Sequence, residues 1–373
     1  MAFEQIRIVH FRNIDEAKLR LGAGHIFLLG ENGQGKTNFL EALYCLSYGT
    51  SFRTHQEREL LRHGDHEFLL RAGWREVDSP IEEQISLKYS REGRKELRLN
   101  EKLLSDRKEL VAHNPAVVFC HEDMAFAAGV PEERRFFFDQ CAGMLWIEYI
   151  DLLRFYRRVL KHRNMILKTD NTFSILDTLD EQLAHYGCEI MALRKRLSLL
   201  FARRFPEYYE RVSQLGTEVS IQYMPSWPEG ASAEEIVELL SQQRPRDIEA
   251  ATSLSGPHRD RWVFTHEGRN FSSFASTGQL RLASLILRIV QVHLYAEFSN
   301  GDLPRFPVLL LDDVLLELDV AKRRRFFSLL PGRGSGAQAV FTFLPEEPWR
   351  EYADETTIVY RVSDGRFSCE KGC

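Results

Sequence analysis

The sequence predicts an α/β protein whose sheet-bearing body is drawn from both ends of the chain, with a mainly helical insertion between them. Three observations predict it. A glycine-rich loop, Gly30-Glu31-Asn32-Gly33-Gln34-Gly35-Lys36-Thr37, lies between a short apolar run and an amphipathic stretch. A second apolar run, Pro307-Val308-Leu309-Leu310-Leu311-Asp312-Asp313, ends in two carboxylates near the other end of the chain. Between them, from Pro131 to about Phe205, the chain becomes rich in Leu, Arg, Phe and Tyr and has few glycines.

Taken in order, residues 3–10 are β-rich and partly alternate, the pattern of a strand. His25–Leu29 is an apolar run closed by glycine, the signature of a buried strand, and Phe39, Leu40, Leu43 and Leu46 follow at helical spacing. Residues 67–99 read as antiparallel strands with a turn at Arg91-Glu92-Gly93, and residues 117–119 as a further strand. Residues 131–205 read as several long helices, broken near 169–172. Residues 217–223 read as a strand and 232–243 as a helix. After Pro257 the strand pattern resumes, with a hairpin turn at Glu267-Gly268. A helix over 279–298 precedes the strand Val308–Leu311, 332–336 is a loop, and the tail alternates short helix and strand.

Composition bounds the function. At 373 residues the chain can form two cores, or one core with a large insertion. Its 44% hydrophobic and 28% charged residues exclude a disordered, collagen-like or membrane-bundle protein. The longest apolar runs are far too short to cross a bilayer, and MAFEQIRIVH has no basic region followed by an apolar stretch, so no secretory signal is expected. The net charge of -5 gives no attraction to nucleic acid, so DNA binding must come from local basic patches. Six scattered cysteines without C-x-x-C or zinc spacing read as free thiols in a reducing cytoplasm.

The loop Gly30 to Thr37 fits G-x-x-x-x-G-K-[ST] in the strand–loop–helix context that the motif requires. Glycines let the backbone N–H groups curl around a phosphate, and the helix N-terminus adds partial positive charge. Lys36 would reach the β- and γ-phosphates and the Thr37 hydroxyl would hold Mg²⁺. The second apolar run supplies the acidic strand: Asp312 would bind the metal, and Asp313 would orient or deprotonate the attacking water. Ser276-Thr277-Gly278-Gln279 opens the helix before that strand. It serves either as an ordinary N-cap or as a second anion site built from a hydroxyl, flexible N–H groups and a helix dipole.

Set between the phosphate loop and the acidic strand, Ser276 to Gln279 resembles the signature of ATP-binding-cassette ATPases, and Glu317-Leu318-Asp319 falls where those have a D-loop. The chain as a whole resembles the RecF family, related to the heads of SMC proteins. That resemblance rests also on Ile8-Val9-His10-Phe11-Arg12-Asn13, on Val117-Val118-Phe119 with Glu122-Asp123, on Gly129-Val130-Pro131-Glu132-Glu133-Arg134-Arg135-Phe136-Phe137-Phe138-Asp139, and on Gly256-Pro257-His258-Arg259-Asp260. Departures from the family pattern are Thr277 for glutamine, Leu280 for a polar residue and His121 for proline; no glutamine near 120 offers a Q-loop, for which Glu122 and Asp123 are candidates, and Thr342 stands at the switch position.

The resemblance implies an ABC-type head, a mixed sheet plus an antiparallel subdomain, with an inserted helical lobe. It places the ATPase domain in 1–120 and 250–373 and the lobe in 121–249. It implies an ATP-driven head-to-tail dimer in which Lys36 of one chain and Ser276 of its partner share one γ-phosphate, with Gly30, Glu31, Asn32, Gly33, Gln34, Gly35, Lys36, Thr37, Ser276, Gly278 and Gln279 around the nucleotide. Lys36, Asp313 and Ser276 would serve catalysis, and Thr37 and Asp312 the Mg²⁺. It further implies a weak DNA-stimulated ATPase acting at gapped DNA and single-strand/double-strand junctions in repair, replication, recombination and the SOS response, loading RecA with RecO and RecR in the cytoplasm.

For the DNA itself, Arg154, Arg158 and Lys161 share a helix face at i, i+4, i+7. Arg91, Arg94, Lys95 and Arg98 surround the hairpin, and Arg194, Lys195 and Arg196, with Arg203 and Arg204, make a third basic cluster. With no helix-turn-helix or zinc finger, base-specific reading is not expected. A transporter ATPase subunit is the weaker reading, given the basic insertion and Thr342. An SMC-type structural clamp needs heptad arms that the middle region is too short to supply.

Overall fold

Both apolar runs become strands of one sheet, parallel to each other and separated by a single strand. The structure, a computed structural model, describes residues 2–75, 81–169, 175–216, 218–299, 304–314, 318–332 and 334–372. It divides into two compact units, residues 1–122 with 291–373 and residues 123–290.

In the first unit, five parallel strands lie in the order Ile358–Ser363, His25–Leu29, Ala339–Phe343, Val308–Leu311, Ala116–Phe119, with Arg366–Lys371 antiparallel at one edge. Every residue of the three strands Ala116–Phe119, Val308–Leu311 and Ala339–Phe343 is buried. Continuous apolar runs, rather than alternation, are what a sheet covered on both faces requires. One face, through Ile26, Leu28, Val118, Leu310 and Val340, joins a core shared with helix Lys36–Tyr48. On the other, Phe341 stacks on Phe327 and Phe327 on Tyr352, with ring centroids 5.6 and 4.2 Å apart.

The same core takes the inner face of a six-stranded antiparallel sheet, ordered Ile14–Arg20, Ala2–Phe11, Glu67–Arg75, Glu83–Ser90, Lys95–Leu99, Lys102–Leu103. Its first strand was not legible in the sequence, because Ile14, Ala17 and Leu19 break strict alternation. Gln338 ties the two sheets together. Its amide accepts from Phe3 N at 2.8 Å and donates to the Phe3 and Leu21 carbonyls, leaving a side chain only 1% exposed fully satisfied.

The second unit holds helices Met124–Ala128, Pro131–Leu145, Glu148–Ile166, Leu176–Ser213 and Ala233–Glu249, and a three-stranded antiparallel sheet ordered Arg269–Asn270, Arg261–His266, Val219–Met224. The expected break near 169–172 lies partly outside the described residues. Leu176–Ser213 runs through Pro206 instead of ending near Phe205. Burial of Phe205, Tyr209 and Val212 along one stripe outweighs the lost backbone bond. The junction between the units falls at 290/291 and not near 249, because the strand Arg261–His266 belongs to the helical core. Trp262 stacks on Phe138 with centroids 4.4 Å apart, and its Nε1–H donates to Ser198 Oγ at 2.8 Å.

Two buried arginines organise this unit. Arg163 is wholly buried and pairs with Asp180 at 2.6 Å and Asp247 at 2.7 Å. Arg194 pairs with Asp139 and Asp260, both at 2.8 Å. The stretch 256–260 is a clasp: Asp260 also accepts from Tyr223 Oη and Ser226 N, while His258 meets Tyr156 Oη through Nδ1 and the Ser253 carbonyl through Nε2. Cys45, Cys120, Cys141 and Cys188 are free thiols as expected, but Cys369 is disulfide-bonded.

Candidate nucleotide-binding site

The loop after strand His25–Leu29 is shaped by positions that exclude a side chain. Gly33 and Gly35 have φ of 78° and 112°, in the left-handed region open to glycine. A Cβ on Gly35 would lie 2.8 Å from Asn13 Oδ1, and one on Gly30 2.4 Å from the Val362 carbonyl oxygen. Asn13 is held there by Asn38 Nδ2 at 2.8 Å and itself donates to the Gln34 carbonyl at 3.2 Å, which gives the 8–13 motif a local role. Gln34 braces the loop: its Oε1 accepts from Asp364 N at 2.7 Å and its carbonyl from Gly365 N at 2.8 Å.

Helix Lys36–Tyr48 starts on the loop and carries the two motif side chains inward. Lys36 is 4% exposed, and its ammonium donates to the carbonyls of Gly30 and Glu31. Thr37 Oγ1 donates to Asp312 Oδ1 at 3.0 Å, bringing together residues 275 apart in the chain. The strand order explains this meeting. Ala339–Phe343 lies between the strands that lead to the loop and to Asp312, so all three C-terminal ends converge, as α/β sheets place their sites. Thr342 bridges the gap. Its hydroxyl lies 2.9 Å from Asp313 Oδ1 and 3.2 Å from Asp312 Oδ1, and accepts from Asp313 N at 2.8 Å.

Asp313 itself has φ of 48°, a left-handed conformation uncommon outside glycine that aspartate adopts more readily than most residues. Burial, with Asp313 beside it, pushes the Asp312 carboxyl up to about 6, against the pull of the Thr37 and Thr342 hydroxyls. A hydroxyl and a carboxylate within hydrogen-bonding distance are hard oxygen donors of the kind Mg²⁺ takes.

A cavity of about 290 Å³ lies along Glu31, Asn32, Gly33, Gly35, Lys36 and Thr37, and is completed by Asn38, Arg53 and Asp313. Sequence reasoning missed Arg53, which sits in a polar run that carries no motif. It donates to Asn38 Oδ1 at 2.9 Å and lies 3.4 Å from Glu41, a wholly buried carboxylate that Arg12 grips with two bonds and that also accepts from Ser51 Oγ. Glu347 does not line this cavity. Its Oε2 accepts from Leu344 N at 2.7 Å, and burial raises its pKa.

Ser276 lies in the second unit and is a true helix cap. Its N–H donates to Gln279 Oε1 at 2.8 Å, and its Oγ accepts from Gln279 N at 3.3 Å, a reciprocal capping box. Ser276, Thr277 and Gly278 are exposed. Asp123, a Q-loop candidate, is committed to Arg288 at 2.7 Å, while Glu122 is exposed. Glu317 lies outside the described residues; Asp319 caps helix Val320–Phe327 through Lys322 N.

Arg154, Arg158 and Lys161 all lie exposed on helix Glu148–Ile166, opposite the buried stripe Tyr149, Tyr156, Val159, Arg163 and Ile166. Arg158 sits over the Phe155 ring, and Phe155 stacks on Tyr186 with centroids 5.6 Å apart. In the third basic cluster Arg194 is withdrawn into buried ion pairs, while Lys195, Arg196 and Arg203 are exposed. In the hairpin cluster Arg94 faces Glu92, Lys95 faces Glu57, and Arg98 faces Glu96.

Residues 2–368 match the RecF/RecN/SMC N-terminal domain family. A Treponema pallidum protein described as DNA replication and repair protein RecF is 41% identical, over 96% of this chain and 98% of its own. The chain belongs to the RecF family. A solved structure of the recombination mediator protein RecF with ATP, in the RecFOR pathway, superposes with a TM-score of 0.87 at 26% identity, covering 99% of this chain and 97% of that one. The fold extends beyond RecF proteins. An SMC head bound to the C-terminal winged-helix domain of ScpA aligns with a TM-score of 0.59 at 16% identity, over 99% of this chain and 97% of that one.

Proposed function

We propose that the chain is an ATP-dependent, DNA-binding recombination mediator that uses nucleotide to switch between free and DNA-gripping states. The observation that carries this reading is the bond between Thr37 and Asp312, with Thr342 spanning Asp312 and Asp313. That arrangement supports a reading in which Thr37 and Asp312 hold a metal ion and Asp313 orients water beside the phosphate loop. Family membership and the ATP-bound relative support the same reading.

In this account Lys36 leaves the Gly30 and Glu31 carbonyls to meet the β- and γ-phosphates, and the loop N–H groups hold the rest of the triphosphate. Thr37 and Asp312 would hold Mg²⁺, which when bound offsets phosphate charge. Asp313 positions the attacking water and accepts its proton, and Thr342 fixes the direction of its carboxylate. Ser276, Gly278 and Gln279 of a second copy complete the site. Each half-site binds nucleotide incompletely, so ATP joins the copies and hydrolysis removes the joining charge. Arg154, Arg158 and Lys161 supply phosphate contacts to gapped or junction DNA, and weak, DNA-stimulated hydrolysis releases the protein. RecO and RecR are proposed as its partners in loading RecA, in keeping with the RecFOR pathway of the solved relative.

The test is light scattering with ATP. Lys36→Ala should lose nucleotide binding and therefore dimerisation. Ser276→Arg should bind nucleotide normally and stay monomeric. A Ser276→Arg protein that dimerises with ATP like the wild type would refute the shared site.

A further inference from the structure

Two stretches singled out in the sequence, 129–139 and the residues leading to Ser276, meet at one side chain. Ser276 follows a short coil, residues 271–275, whose only regular element is the turn Phe271–Ser273. The coil is anchored at two points. Phe271 is buried, and Ser272 Oγ donates to the Ala127 carbonyl at 2.8 Å. Arg134 closes the joint. Its Nη2 donates to the Ala127 carbonyl at 3.0 Å and to Ser272 Oγ at 3.4 Å, and its Nη1 donates to the Trp262 carbonyl at 3.2 Å. The guanidinium also lies over the Phe264 ring, 5.8 Å from its centroid.

Arg134 therefore joins the end of helix Met124–Ala128, the strand Arg261–His266 and the coil that delivers Ser276. Residues 129–130, which lead from that helix into helix Pro131–Leu145, are fixed in their own right: Val130 N donates to Glu133 Oε2 at 3.0 Å, and a Cβ on Gly129 would lie 2.5 Å from the Ala125 carbonyl oxygen. A planar fork holding two carbonyls and one hydroxyl fixes direction in a way that a single ammonium cannot.

We infer that Arg134 is a positioning residue for Ser276: it sets where the signature serine is presented to a second copy of this chain, and it takes no part in nucleotide binding by the chain's own phosphate loop. This rests on the shared-site reading proposed above.

The experiment compares Arg134→Met, Ser272→Ala, Ser276→Arg and Leu240→Ala in the full chain. Leu240 is wholly buried in helix Ala233–Glu249, away from the coil in sequence, and serves as a control for lost stability. Two quantities are read: binding of a fluorescent ATP analogue to dilute monomer, and ATP-driven dimerisation by light scattering well below the melting temperature. Arg134→Met should bind the analogue within about twofold of wild type and dimerise at least about tenfold more weakly, the scale on which a misplacement of about 1 Å acts. Ser272→Ala should move in the same direction by less, and gives the answer if Arg134→Met does not fold. Leu240→Ala should melt earlier and dimerise normally.

Normal dimerisation of Arg134→Met and Ser272→Ala, with Ser276→Arg blocked, overturns the inference and leaves the shared site standing. Equal loss in Leu240→Ala overturns it too, because the effect is then one of stability. Normal dimerisation of Ser276→Arg overturns the shared site itself, and the inference with it.

Discussion

Thr342 gives one hydroxyl to two carboxylates and takes the N–H of an aspartate held at φ of 48°. Replacing it with valine keeps the shape, leaves the Asp313 N–H without its acceptor and frees the Asp313 carboxylate to turn, while Thr37 still holds Asp312. A lost bond to a partly buried charged group costs about 1–3 kcal/mol. Thr342→Val should therefore lower kcat for phosphate release by about 10–100-fold and change the KM for ATP by less than about threefold. A raised KM with kcat preserved would assign Thr342 to binding instead. At this scale the sequence was most legible where chemistry fixes spacing: Lys36, Thr37 and Asp312 stand together because a phosphate loop and an acidic strand end have defined places in a parallel sheet. Gln34 shows the limit. It lies inside the motif, yet its side chain serves the turn at Asp364-Gly365, a partner 330 residues away. Arg53 reaches the cavity from a run with no pattern at all.

Among the elements, the helices of the second unit were readable from their apolar stripes, and the hairpin at Glu267-Gly268 from its turn residues, both of which have positive φ. What could not be read was which basic residues face water. Arg154 and Arg194 look alike in sequence; only the distant Asp139 and Asp260 make the second a core residue. The clasp at 256–260 has a pH signature. His258 is satisfied as the neutral ring, with Tyr156 Oη on Nδ1 and the Ser253 carbonyl on Nε2. Burial first, then the nearby arginines, pushes its pKa down to about 4. The unfolded chain would take up the proton near pH 6.5, so between about pH 6.5 and pH 4 unfolding is favoured as pH falls, by at most about 1.4 kcal/mol per unit. Above that window the contribution is constant. Urea midpoints of wild type and His258→Gln, measured between pH 7 and pH 4, should show that the variant loses this slope. Parallel profiles for the two proteins would contradict it.

For the molecule as a whole, a net charge of -5 and a DNA-binding proposal are compatible only if the contacts are few and local. Each phosphate contact contributes about 0.9 to the slope of log affinity against log salt on duplex. Changing Arg154, Arg158 and Lys161 together to glutamine should flatten that slope by about two to three, with nucleotide binding unchanged. An unaltered slope would move the DNA to another face. That the two chain ends form one core was legible from the separation of the phosphate loop and the acidic strand. The junction at 290/291 was not, because the strand Arg261–His266 is claimed by Phe138 and Ser198, which the local pattern does not show.

The central claim is that ATP in the Lys36 site controls the grip on DNA. Fluorescence anisotropy on a gapped duplex, with and without ATP, for wild type and Lys36→Ala, tests it most directly. Tighter binding with ATP in the wild type alone is the predicted result. Binding that ignores ATP, or that Lys36→Ala tightens equally, would contradict it.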